Sequence, residues 1–215
     1  MKVIKIYFIS TIILVMQLIM SISAHADVDE SEAAKGYIND LSSQIYKIAN
    51  DEHTSKMQKK DLFEKIMLEN VDMQKMSKFV LGKYWKSLTV QEKKDFSIIY
   101  KDFLIYSYLP KFLENSSYSF SILNAIKSEN HYIVYAQVTL PNGLIANIKY
   151  RVSKNVKFMI EDIMAENISI IATQKADFIN ILSGGNIESL KEMMQEKIAE
   201  SRALLETQST DEVAQ

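Results

Sequence analysis

The sequence predicts an α+β fold, a four-stranded antiparallel meander packed against several helices in a single domain. Two observations predict it. The spacing of apolar residues changes from the helical period to two near Tyr118, and returns to the helical period near Thr173. Turn sequences punctuate the middle segment at short intervals. A sheet with one apolar face and helices with apolar stripes bury those surfaces on each other, which makes a two-layer domain.

The helical part comes first. Between Ser31 and Ala49 the residues Ala34, Tyr37, Ile38, Leu41, Ile45 and Ile48 recur at helical spacing. Ser55 with Gln58 forms a capping box for a second helix, expected to bury Leu62, Phe63, Ile66 and Met67. Asp72 caps a short third helix carrying Met73, Met76, Phe79 and Val80, and Gly82 sits where a C′ glycine belongs. Thr89 with Glu92 is another capping box. It opens the most strongly periodic segment, with Phe96, Ile99, Tyr100, Phe103, Leu104 and Tyr108 on one face. Pro110 lacks the N–H its turn needs and is expected to end or kink that helix.

The strands follow. Tyr118, Phe120, Ile122 and Ile126 alternate with polar residues, then Tyr132, Val134, Ala136, Val138 and Leu140 do the same. Pro141-Asn142-Gly143 signals a turn, and Ala146, Ile148, Tyr150 and Val152 form a third alternating run. Lys154-Asn155 turns the chain into a fourth strand, from about Val156 to Ile163. Helix resumes from about Thr173 to Leu182, stops at Ser183-Gly184-Gly185, and continues from about Ile187 to Leu205. Residues 206–215 are polar and read as a disordered tail.

The N-terminus sets the compartment. Lys2 and Lys5 precede an apolar run from Ile6 to Ile22, and Ala24-His25-Ala26 is a small-x-small cleavage site. Residues 1–26 therefore read as a signal peptide and 27–205 as the exported domain. The rival reading is a retained anchor, since the run is almost long enough to span a bilayer. Export from a bacterial cytoplasm places the mature chain in the periplasm. Removing 26 residues from 215 leaves about 189, with the formal charge moving from −2 to about −4. That charge is mild and forms no Lys/Arg stripe for nucleic acid. With no cysteine, disulfides, thiolate nucleophiles and Cys-based metal sites are all excluded.

The catalytic inventory is thin. His53 and His131 fall in polar turns without His-x-x-x-His spacing or an acidic cluster, so they read as solvated turn histidines and no metal site is expected. Glu161 and Asp162 are adjacent on a strand and point to opposite faces, so they make no acid–base pair. An inward carboxylate there is expected to bond a neighbouring backbone or Arg/Lys group. No nucleophile elbow, phosphate loop or dinucleotide fingerprint occurs, and the residues support neither an enzyme nor a cofactor. What the chain does carry is apolar surface, including 11 Tyr and 9 Phe. Such stripes pack an ordinary core, or line a cavity between a concave sheet and its helices; periodicity alone leaves both readings open.

Three segments resemble the MlaC family of toluene-tolerance auxiliary proteins. Leu81-Gly82-Lys83-Tyr84-Trp85-Lys86 is similar to its Leu-Gly-x-Tyr-Trp-Arg signature, and is followed by Leu88-Thr89 and the helix bearing Phe96, Phe103, Leu104 and Tyr108. Ile160-Glu161-Asp162-Ile163 through Ile171 is similar to its Tyr-Asp-Val…Glu-Gly-Ile-Ser-Leu-Val strand. Phe178, Ile181-Leu182, Gly184-Gly185 and Leu190 are similar to its closing segment. Gln174-Lys175 stands where the family tends to have Tyr-Arg, and Asn167 where glycine is usual.

The resemblance implies a sheet and helices enclosing an apolar pocket for lipid tails. It implies a periplasmic phospholipid shuttle between the outer and inner membranes. The implied partners are an outer-membrane lipoprotein complex and an inner-membrane ABC transporter complex, with phospholipid as the bound ligand. The residues expected to hold lipid are the inward sheet face (Ala146, Ile148, Tyr150, Val152, with Ile163), the long helix (Phe96, Tyr100, Phe103, Leu104), and Trp85 or Phe178 near the rim. Trp85 reads equally as a packing anchor. On this reading Ile148→Asp and Val152→Asp abolish lipid retention in a folded protein; unfolding instead makes them core positions. The alternative is a periplasmic chaperone-like binder of apolar peptides or other hydrophobic ligands.

Overall fold

The computed structural model describes residues 30–113 and 118–213. The N-terminal leader expected at 1–26 lies outside these residues. Helix α1 covers 30–49, followed by α2 (Lys56–Asn70), α3 (Met73–Leu81), a 3₁₀ turn (Gly82–Ser87) and α4 (Val90–Leu113). Strands β1 (Ser119–Ser128), β2 (His131–Thr139), β3 (Ile145–Lys154), β4 (Phe158–Ala165) and β5 (Ile168–Ser169) come next, then α5 (Ile170–Gly184) and α6 (Ile187–Val213).

The helix starts are those the capping residues dictate. Ser55 and Gln58 close a reciprocal box, and Asp72 accepts from the Lys75 amide. The Thr89 amide donates to Glu92 Oε2 at 2.7 Å and the Glu92 amide to Thr89 Oγ1 at 3.2 Å. Gly82 takes φ 52°, the left-handed region that glycine enters without a Cβ penalty. Pro110 does not end α4, which runs on to Leu113. The ring removes one hydrogen bond, and buried Ile105 and Leu109 pack with Phe63 to hold the last turns in place. Leu62 and Phe79 stand on exposed helix faces instead of in the core. Helix α5 starts at Ile170, ahead of Thr173, because Ser169 accepts from the Ala172 amide at 3.0 Å. Helix α6 continues past Leu205 to Val213, in a stretch with neither glycine nor proline to break it.

The sheet is antiparallel in the order β1-β2-β3-β4-β5, so it has five strands, not the expected four. The added strand is short and arises at Glu166-Asn167, whose φ values are 48° and 68°. Positive φ at both central residues is what a tight two-residue hairpin needs. The Glu166 amide donates to the Asn147 carbonyl, and its carboxylate accepts from the Asn147 amide, tying this hairpin to β3. Asparagine tolerates the conformation, whereas a β-branched residue does not. Asn167→Val is expected to lower unfolding free energy by about 1–2 kcal/mol in urea denaturation, and Asn167→Gly to leave it unchanged or slightly higher.

Two bulges shift the pattern. One lies between Ile122 and Asn124, so beyond it Ala125, and not Ile126, faces the helices; Ile126 is 45 % exposed. The other lies opposite Arg151 and Val152 on β4. The inward face then comprises Phe120, Ile122 and Ala125, with Tyr132, Val134, Ala136 and Val138, Ala146, Ile148, Tyr150 and Val152, and Ile160 and Ile163. Helices α1 to α4 cover it, with α5 packed against α3 and α6 against α4. The Asp72 amide donates to the Ile160 carbonyl beside a parallel bridge from Val71, which closes the open side of β4.

Candidate functional site: an apolar two-chamber cavity

Between the inward sheet face and α1, α2 and α4 lie two adjoining hollows, of about 230 Å³ and about 300 Å³. They share Ser42, Ile45, Phe63, Tyr108 and Tyr150, which form the neck between them. The first hollow is the inner one, since none of its lining residues is exposed. Leu41 from α1, Ile66 and Met67 from α2, Met76 from α3, Leu104 from α4, and Ile160 and Ile163 from β4 make its walls. The second is the outer one, with Tyr46, Lys111 and Tyr118 all exposed along it.

The inner chamber holds no charged side chain. Its polar groups are Ser42, Asn70 and the two phenols at the neck. Asn70 is already engaged, accepting from Tyr37 Oη at 3.0 Å and donating to the Ile66 carbonyl at 2.9 Å. Burial pushes the Tyr150 phenol up to about 12, and burial followed by the nearby Asp162 charge raises Tyr108. Both therefore stay neutral at any physiological pH. A cavity with uncharged, mostly apolar walls suits hydrocarbon, because every CH₂ moved into it from water contributes about 0.8 kcal/mol.

Of the residues expected to hold lipid, Leu104, Tyr150 and Ile163 line the cavity. Ala146 and Ile148 sit on the inward sheet face by register, outside the lining of either hollow. Phe96, Tyr100, Phe103 and Phe178 instead form an aromatic cluster. Phe178 meets the other three edge-on, with ring centroids 5.9–6.5 Å apart. Tyr100 Oη is satisfied within that cluster, donating to Gln174 Oε1 at 2.6 Å. Gln174 is thus turned inward, while Lys175 Nζ lies 4.6 Å from the centre of the Phe79 ring. Trp85 is half-buried beneath Lys93, away from both hollows. Val152 is 0 % exposed and lies outside both linings. The result expected for Val152→Asp changes accordingly. An unpaired carboxylate in a packed core unfolds the protein, and loss of the cooperative thermal transition is the measurement.

Sequence reasoning missed the contribution of α1 and α2, namely Leu41, Ile45, Phe63, Ile66 and Met67. Their periodic stripes were the available signal, but a stripe facing a void carries the same pattern as one facing a core.

A second, polar basin lies at the far end of the sheet, where Lys75, Lys127, His131, Lys154 and Glu161 meet. His131 opens β2 and its Nδ1 lies 3.1 Å from Glu161 Oε2, so it is not a free turn histidine. His53 stays exposed in its turn, and no group of three metal-ligating side chains occurs among the described residues. Burial alone would raise Glu161, but the hydrogen bond from Lys75 at 2.6 Å, that from Ser153, and the surrounding positive charge outweigh it and hold the carboxyl below its ordinary value. Its stabilising contribution is therefore present above the unfolded carboxyl value near 4.5, and fades as pH falls through the lower folded one. Lys75→Met is expected to cost about 1–3 kcal/mol at pH 7 and much less near pH 3, in denaturant titrations at both pH values. Asp162, almost fully buried, accepts from Ser169 Oγ at 2.7 Å and lies 3.5 Å from Arg151. It anchors the start of α5 and faces no cavity lining.

Comparison with known proteins gives one family and one fold. The family model described as MlaC protein matches residues 38–196. Among solved structures, a phospholipid-binding protein from Ralstonia solanacearum, determined in complex with a phospholipid, is similar with a TM-score of 0.68 and 17 % identity, over 79 % of this chain and 98 % of that one. No curated protein matches the chain.

Proposed function

Since the chain belongs to the MlaC family, we propose that it is a phospholipid carrier of the bacterial periplasm and has no catalytic activity. Residues 1–26 direct export and are removed, leaving the domain free to move between membranes. Acyl tails occupy the inner chamber and the neck, and the headgroup stays at the outer chamber. Lipid passes between an outer-membrane lipoprotein complex and an inner-membrane ABC transporter complex. The observation that carries this reading is the inner chamber itself, hollow, walled by buried and half-buried residues and without a charged side chain. Hydrocarbon is the ligand class that such walls favour. Release falls to the partners, because a cavity that binds tails well binds them everywhere, and only a partner favouring the open state shifts the balance.

The testing experiment is mass spectrometry of solvent extracts from purified protein, alongside its intact native mass. Stoichiometric phospholipid is the expected result. Protein that purifies empty and takes up no labelled lipid would instead be a chaperone-like binder of apolar peptide.

A further inference from the structure

Lys111 is the one charged side chain lining either hollow among the described residues. It lies in the last turn of α4, where a lysine ordinarily serves the helix dipole. Its setting gives it a second use. Lys111 is exposed on the outer chamber, the one with exposed residues in its described lining, and is joined there by Asn50 and by the phenol-bearing Tyr46 and Tyr118. It makes no hydrogen bond or ion pair with any other described residue. Phe112, Phe120 and Val138 line the same chamber, the neck follows at Tyr108 and Tyr150, and the inner chamber beyond is mostly apolar and uncharged.

We propose that Lys111 is the phosphate-binding residue of this site, selecting amphiphiles whose polar end is a phosphate over uncharged ones with the same tails. This rests on the carrier reading and adds to it. A ligand with tails in the inner chamber places its polar end at this rim. The ammonium offers three donors to phosphate oxygens, and a charge-assisted hydrogen bond of this kind is stronger than a neutral one. Placed at a wet rim, the contact discriminates without trapping the ligand, since water screens it and salt weakens it.

The test uses delipidated protein and two probes that differ only in the phosphate: pyrene-labelled phosphatidic acid and pyrene-labelled diacylglycerol with the same chains. Wild type is expected to bind phosphatidic acid roughly tenfold more tightly, less so at high salt. Lys111→Met should remove that preference while leaving diacylglycerol binding and the melting temperature unchanged, and Lys111→Arg should restore it. If Lys111→Met keeps the preference, or wild type shows none, Lys111 is not the phosphate residue and the carrier reading stands. If wild type binds neither probe, both readings fall. Displacement of phosphatidic acid by millimolar inorganic phosphate would make the rim a free-phosphate site and overturn the lipid assignment.

Discussion

Ser42→Trp is expected to abolish lipid co-purification while the protein still folds. Ser42 lies on α1, is half-buried, and lines both hollows at their neck. An indole there occupies the space through which a tail must run from the outer to the inner chamber. The cost to the fold is small because the ring enters existing emptiness and not a close-packed core. Burying it contributes about 1.5–3 kcal/mol, and overpacking costs about 1–3 kcal/mol, so the two nearly cancel. Solvent extraction with mass spectrometry reads the lipid, and a thermal melt reads the fold. Lipid retained at the wild-type level in a well-folded variant would mean that tails lie elsewhere.

Phe178→Ala is expected to do the reverse. Phe178 is 1 % exposed and packs edge-on against Phe96, Tyr100 and Phe103, joining α5 to α4. Truncating a ring in such a cluster costs about 3–5 kcal/mol, a large share of the 5–15 kcal/mol that holds a domain together. Urea denaturation should show the midpoint falling steeply, while the fraction that remains folded keeps its lipid. A small change in midpoint together with lost lipid would place Phe178 in the binding surface. The pair of variants thus separates the residues that hold the ligand from those that hold the protein.

Much of the fold is legible because its signals are local. The Ser55–Gln58 and Thr89–Glu92 boxes, Asp72 and Gly82 each specify a helix end by hydrogen bonds within a few residues. Gly143, at φ 82°, turns the Pro141-Asn142-Gly143 corner as that tripeptide demands. The bulge near Leu123 is not legible, since one extra residue on a strand leaves the sequence alternation looking continuous while reversing which side chains face in. The apolar character of the cavity was legible, its lining only in part. Tyr150, Ile163 and Leu104 line the cavity, whereas Phe96, Val152 and Phe178 are packed away from it. Whether an apolar stripe meets a neighbour or a gap depends on how far apart elements distant in sequence come to rest, and periodicity holds no record of that.

The borders of the sheet carry a consequence for the protein in a crowded compartment. On one side stands β1, kinked by its bulge; on the other β5 offers two residues, and Val71 and Asp72 cap the rest of β4. The β4 border thus offers few unpaired amides and carbonyls to a second chain, and the row along β1 is interrupted at its bulge. An apolar interior left unfilled makes local opening of the domain easier. Short or interrupted borders weaken the template by which copies of the chain would recruit one another into an aggregate.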